Sequence, residues 1–134
     1  MTVSALLMRF AGLYIALMIG ASLFVNLIGG EHNSGLNAGA LVGAVLISCN
    51  WFCTKNRRVI DSKEKMSAFF GMLTIDIGIQ IIAGLGAMAA NGAMLEIEVL
   101  LTAAIFIGVL HGVGIYFMIG LANKMYEKQA AKGK

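Results

Sequence analysis

Charged positions along this 134-residue chain fall in clusters separated by long uncharged runs. Residues 10–30, 32–54 and 99–123 contain no Asp, Glu, Lys or Arg, and residues 66–95 contain one, Asp76. A helix needs about 20 mainly apolar residues to cross the roughly 30 Å hydrocarbon core of a bilayer. Each run therefore predicts one transmembrane helix, over approximately 10–30, 36–53, 67–90 and 98–122. The remaining stretches are turns, a loop at 54–66 and a tail at 123–134, so the whole chain 1–134 reads as a single membrane domain. Short connections favour antiparallel neighbours, which makes the expected fold class all-α: a polytopic membrane protein built as a four-transmembrane-helix up-down bundle.

Composition supports the same picture. The chain is 59% hydrophobic and 13% charged, against about 25% charged in an ordinary soluble domain. The first apolar stretch exceeds the 7–15 residues of a signal-peptide h-region and only Arg9 precedes it, so it is expected to remain as an anchor.

The net charge of +3 is less informative than its placement. Arg9 precedes span one, Lys55, Arg57, Arg58, Lys63 and Lys65 lie between spans two and three, and Lys124, Lys128, Lys132 and Lys134 follow span four. The opposite side holds Glu31, His32, Glu96 and Glu98 and no basic residue. This is the positive-inside pattern, and it places both termini and the loop 54–66 in the cytoplasm of a bacterial inner membrane. Nucleic-acid binding is not needed to explain the basic charge. The loop cluster Lys55, Arg57, Arg58, Lys63 and Lys65 serves topology alone, or also contacts anionic lipid headgroups or an acidic partner. Within that loop, Asp61-x-x-Glu64 resembles a capping box starting helix three. In the outer connection before helix four, Asn91-Gly92 suits a helix C-terminus, and Glu96 and Glu98 suit the positive N-terminal end of the next helix.

Small residues recur every four positions on three spans: Gly12, Ala16 and Gly20; Gly35, Gly39 and Gly43; Ala104, Gly108 and Gly112. In lipid, close backbone approach across such stripes supplies attraction between helices. Packing within the bundle is the expected use, and association with a second copy or a partner membrane protein is the other. Cys49 and Cys53, one turn apart, read as packing residues, because a metal site needs about four ligands and none stand near them. No metal and no cofactor is expected.

Three polar residues inside the spans stand out. Asp76 lies about 12 Å in from a helix start near residue 68, Gln80 about 18 Å, and His111 about 16 Å in from a helix end near residue 122. With helices three and four antiparallel, these depths bring Asp76, Gln80 and His111 within one turn of each other. A mid-span carboxylate costs about 2.5–3.5 kcal/mol on insertion scales. That cost falls if Asp76 is neutral and donates a hydrogen bond, or if it is ionised beside a protonated His111. The trio is either a proton or cation relay or a polar clamp that fixes helix rotation; a single carboxylate and no sign of a discontinuous helix favour the clamp. No catalytic residue is expected, since a hydroxyl nucleophile, a phosphate loop and a metal cluster are all missing from the pattern around His111.

The segments "MRFAGLYIALMIG" (8–20), "SGLNAGALVGA" (34–44), "WFCTKNRR" (51–58) and "SKEK" (62–65) resemble a family of small, uncharacterised four-span inner-membrane proteins of Gram-negative bacteria. The resemblance covers the first 70 residues or so and implies the fold and the inner membrane, with no activity attached. Dual-topology multidrug transporters are a poor match, since the charge bias is one-sided and helix one carries no carboxylate. The expected function is therefore non-enzymatic, through intramembrane helix association as an accessory, immunity or assembly factor. The alternative is a small oligomeric proton- or cation-coupled transporter or channel using Asp76.

Overall fold

A backbone in hydrocarbon must satisfy its own hydrogen bonds, and a helix does so within one segment. Each uncharged run forms one helix in the computed structural model, which describes residues 1–27, 34–90 and 97–132. The elements are α1 (Val3–Leu27), α2 (Ser34–Asn56), α3 (Ser62–Ala90) and α4 (Ile97–Lys132). All four are long and apolar enough to cross a membrane. The fold is all-helical, the architecture of a multi-pass membrane protein. The helices overrun the expected spans. α1 starts at Val3 rather than residue 10, so Arg9 is helical, and α4 continues to Lys132, about 54 Å in all. Glu98 lies in the first turn of α4 as anticipated. Glu31, His32, Asn91, Gly92 and Glu96 lie outside the described residues.

α1 packs on α2 and α3, and α4 packs on α2 and α3. The sequence reading made every pair of chain neighbours a packed pair. The structure corrects this: among the described residues α2 and α3, joined through 57–61, are not a closely packed pair, and α2 packs on α4 instead. Loop length fixes how far apart two helix ends sit and leaves open which helix bodies meet.

The connection 57–61 is tightly specified. Arg57 takes φ 53°, the left-handed value usual for glycine after a helix, and the Arg58 N–H bonds back to the Cys53 carbonyl at 3.2 Å. This is a Schellman-type end to α2. The Asp61–Glu64 pair then forms a reciprocal capping box: the Glu64 N–H donates to Asp61 Oδ1 (2.8 Å) and the Asp61 N–H to Glu64 Oε2 (3.3 Å). Between the two caps, Asn123 of α4 grips Ile60 twice, accepting from its N–H and donating to its carbonyl, both at 3.0 Å. The Cys53 thiol also lies 3.5 Å from Asn123 Oδ1. Asn56 makes a similar double contact with Met1, accepting from the terminal ammonium and donating to the Met1 carbonyl at 3.0 Å. Asn123→Ala leaves both backbone groups of the buried Ile60 unpaired, and is expected to lower stability by about 1–3 kcal/mol in a detergent unfolding titration.

The buried apolar residues form one stripe per helix: Leu6 and Phe10 on α1; Leu41, Val45, Cys49 and Phe52 on α2; Ala68 and Met72 on α3; Ile115, Ile119 and Ala122 on α4. Cys49 and Cys53 are free, buried thiols in this core, the packing role expected of them.

Candidate functional site

The stripes end in polar residues. Continuing by one turn, at i+4 or i−4, Leu6–Phe10 leads to Tyr14, Leu41 back to Asn37, Ala68–Met72 to Asp76 and then Gln80, and Ile115 back to His111. One polar side chain from each of α1, α2 and α4, and two from α3, meet at the top of the packed core. Asp76 is at the centre with 0% exposure. Its Oδ1 accepts from the Tyr14 hydroxyl at 2.7 Å and from Gln80 Nε2 at 3.3 Å, and its Oδ2 lies 2.8 Å from His111 Nδ1. Gln80 Nε2 is 3.1 Å from the same His111 nitrogen, and the Tyr14 hydroxyl is 2.9 Å from Asn37 Oδ1. The aromatic ring of Tyr14 stacks on Phe10, with centroids 5.6 Å apart.

Counting protons shows what the cluster can do. One proton satisfies the Asp76–His111 contact, carried either on Nδ1 and donated to the carboxylate or on the carboxyl and donated to the imidazole. The one lone pair or one proton of Nδ1 is taken up by Asp76 in either state, so the Gln80 amide is left to donate to Asp76 Oδ1 and to pack against the imidazole. Tyr14 has one proton for two acceptors and the shorter contact is to Asp76. The heteroatoms sit at hydrogen-bonding separations of 2.7–3.3 Å, so protons rather than a larger cation fit between them. The His111 side chain is 15% exposed where that of Asp76 is 0%, so His111 lies nearer the surroundings than the carboxylate it touches.

The sequence reading placed Asp76, Gln80 and His111 at one depth, and the structure brings all three into contact. Tyr14 and Asn37 were missed. A tyrosine in an apolar run gives little signal, and Asn37 lies within four residues of the start of α2.

The small-residue stripes part company. On α4, Gly108 and Gly112 are buried; a Cβ at Gly108 would sit 3.1 Å from Ile77 Cδ1, and one at Gly112 would sit 3.7 Å from Leu73 and Phe69. Ala104 is half-buried beside them. Gly43 of α2 faces Leu17 of α1 at 3.5 Å. The other positions correct the expectation of internal packing. Gly12, Ala16, Gly20, Gly35 and Gly39 are exposed, and nothing lies within 4 Å of a Cβ built at Gly12, Gly20 or Gly39. The reason is rotational: Gly12 is two residues from both Phe10 and Tyr14, about 200° around the helix at 3.6 residues per turn. The close approach of α1 to α3 is made instead at Gly71, where a Cβ would fall 2.5 Å from Leu7 Cδ1.

The five side chains of the basic cluster have different surroundings. Arg58 makes a bidentate pair with Glu64, both contacts at 2.7 Å, which holds its guanidinium above its ordinary pKa. The Lys65 ammonium sits 3.6 Å from the centre of the Tyr116 ring. Arg57 ends α2, and Lys55 and Lys63 are exposed. Among the described residues, no group of three or more His, Cys, Asp or Glu side chains is arranged to hold a metal ion.

Four bilayer-length apolar helices tied together by a buried polar cluster define a multi-pass helical membrane protein. Compared with protein-family models, curated proteins and solved structures, the chain has no match.

Proposed function

We propose that this is a non-enzymatic protein of the bacterial inner membrane that works through intramembrane helix association, as an accessory, immunity or assembly factor. In this reading the chain crosses the membrane up and down four times, with both termini and the 57–61 connection in the cytoplasm. All ten basic residues on one side support that orientation. A cysteine introduced at position 32 or 94 is expected to react with an impermeant thiol reagent from the periplasm, and one at 58 or 128 to stay unlabelled in intact cells. Labelling with the opposite sidedness would invert the topology. The native cysteines are buried and leave the assay clean.

The observation that carries the association reading is the outward Gly12–Ala16–Gly20 face. Small residues spent on the lipid side of a helix give another backbone room to approach. Nothing lies within 4 Å of a Cβ built at the exposed Gly12 or Gly20, so Gly12→Leu combined with Gly20→Leu should leave thermal stability unchanged. Association with a second copy or a partner should weaken about tenfold, roughly 1.4 kcal/mol, in a crosslinking assay on native membranes. Unchanged association in a folded variant rules out this face.

A second reading, a small proton-coupled transporter or channel, is favoured by one observation: Asp76 Oδ2 touches a histidine whose side chain is partly exposed. A substitution at Asp76 separates the two readings.

A further inference from the structure

The geometry points to a binding site for an anionic glycerophospholipid, built where α1 and α2 meet beside Trp51. A groove of about 370 Å³ runs along α2, lined by Ile47, Asn50, Trp51, Thr54 and Lys55. That volume is at the lower end of the ~300–1,000 Å³ typical of small-ligand sites. Its lining changes character along its length. Ile47 and the indole of Trp51 give an apolar floor for an acyl chain, and Lys55, one turn further toward the helix end, gives a cation for a phosphate. A second cation comes from the neighbouring helix: the Arg9 guanidinium carbon lies 4.0 Å from the centre of the Trp51 ring.

Two features distinguish this place from an ordinary lipid-facing surface. The first is charge. Among the described residues, neither Arg9 nor Lys55 has a carboxylate at ion-pairing distance, whereas Arg58 is paired with Glu64. One unneutralised cation lining the groove and a second on the Trp51 ring complement a phosphodiester joined to acyl chains. The second is position. Arg9 is about 9 Å from the start of α1 and Trp51 about 8 Å from the end of α2, the depth at which Trp rings and long basic side chains sit between hydrocarbon and water. Arg9 shares the helix face of Gly12, Ala16 and Gly20, at i, i+3, i+7 and i+11, but the groove itself lies on α2 and its test reads lipid at Trp51 whether or not that face associates.

Trp51 is the chain's only tryptophan, so its fluorescence reports on this groove alone. The test measures quenching of Trp51 in vesicles of phosphatidylcholine containing a brominated competitor lipid. The competitors are dibrominated phosphatidylglycerol and dibrominated phosphatidylcholine. Wild-type protein is expected to select phosphatidylglycerol over phosphatidylcholine by roughly fivefold per cation. Arg9→Gln with Lys55→Gln should abolish that preference, and Lys128→Gln, which alters the tail charge, should leave it unchanged. Equal quenching by the two lipids in the wild type overturns the site without reference to any variant. A preference that survives Arg9→Gln with Lys55→Gln, or falls equally with Lys128→Gln, shows diffuse surface attraction and overturns it too.

Discussion

Asp76→Leu is expected to lower the stability of the detergent-solubilised bundle by about 2 kcal/mol, because Tyr14, Gln80 and His111 each lose a hydrogen-bond partner and such bonds in membranes average roughly 0.6 kcal/mol. Leucine has as many side-chain heavy atoms as aspartate, so no cavity opens, and its bulkier methyl groups add packing strain in the same direction. An unfolding titration in which Asp76→Leu equals wild type would mean that the contacts around Asp76 contribute nothing to the fold. Asp76→Asn divides the two functional readings. The amide still accepts from Tyr14 and can donate to His111 Nδ1, but it no longer titrates. If Asp76 is a clamp, the Asn variant keeps wild-type stability and helix association, and liposomes bearing either protein show no proton flux by an entrapped pH dye. If Asp76 relays protons, wild-type liposomes acidify along an imposed gradient and Asp76→Asn liposomes do not.

Gly71→Leu should cost about 1–3 kcal/mol, the usual range for overpacking. Even a methyl group at this position would lie 2.5 Å and 2.7 Å from the two Leu7 methyls and 3.1 Å from Leu7 Cγ. Either Leu7 leaves its rotamer or α1 moves off α3. Because the collision is with one side chain, Leu7→Ala should recover part of the loss, which a double-mutant cycle measures directly. Gly39→Leu is the control: nothing lies within 4 Å of its Cβ position, so its melting temperature should match wild type. Equal effects at 71 and 39 would show that α1 and α3 do not meet at Gly71.

How much of this could be read from the sequence follows from what the bilayer makes visible. The four helices were legible because charge is expelled from hydrocarbon, and the gaps between charges mark the spans. Asp76, Gln80 and His111 were legible because a polar side chain at depth needs a partner, and a rise of 1.5 Å per residue gives that depth. The Asp61–Glu64 cap was legible because it is local. Helix rotation was not. In water an apolar stripe marks the buried face, but here both faces are apolar, and exposed Leu23, Ile105 and Phe117 look no different from buried Leu6, Ile115 and Phe52. The outward turn of Gly12, Ala16 and Gly20 was hidden for that reason, as was the part played by Tyr14. The pairing of α2 with α4 and the grip of Asn123 on Ile60 join distant parts of the chain, and no local pattern announces them.

The polar cluster also bears on how the chain enters the membrane. Its contacts divide between two helical hairpins: Tyr14 meets Asn37 within α1–α2, while Asp76, Gln80 and His111 meet within α3–α4. Within the cluster, only the Tyr14–Asp76 hydrogen bond crosses between them. A lone aspartate leaving the translocon would face the insertion cost of about 2.5–3.5 kcal/mol by itself. Delivered as a hairpin, Asp76 arrives with His111 and Gln80 beside it, its polarity largely matched before the other half is present. The polar contacts thus close largely within each hairpin, and docking of the two brings α2 onto α4 and α1 onto α3, with Tyr14 recognising Asp76 across the seam and the grip of Asn123 on Ile60 fastening the far end.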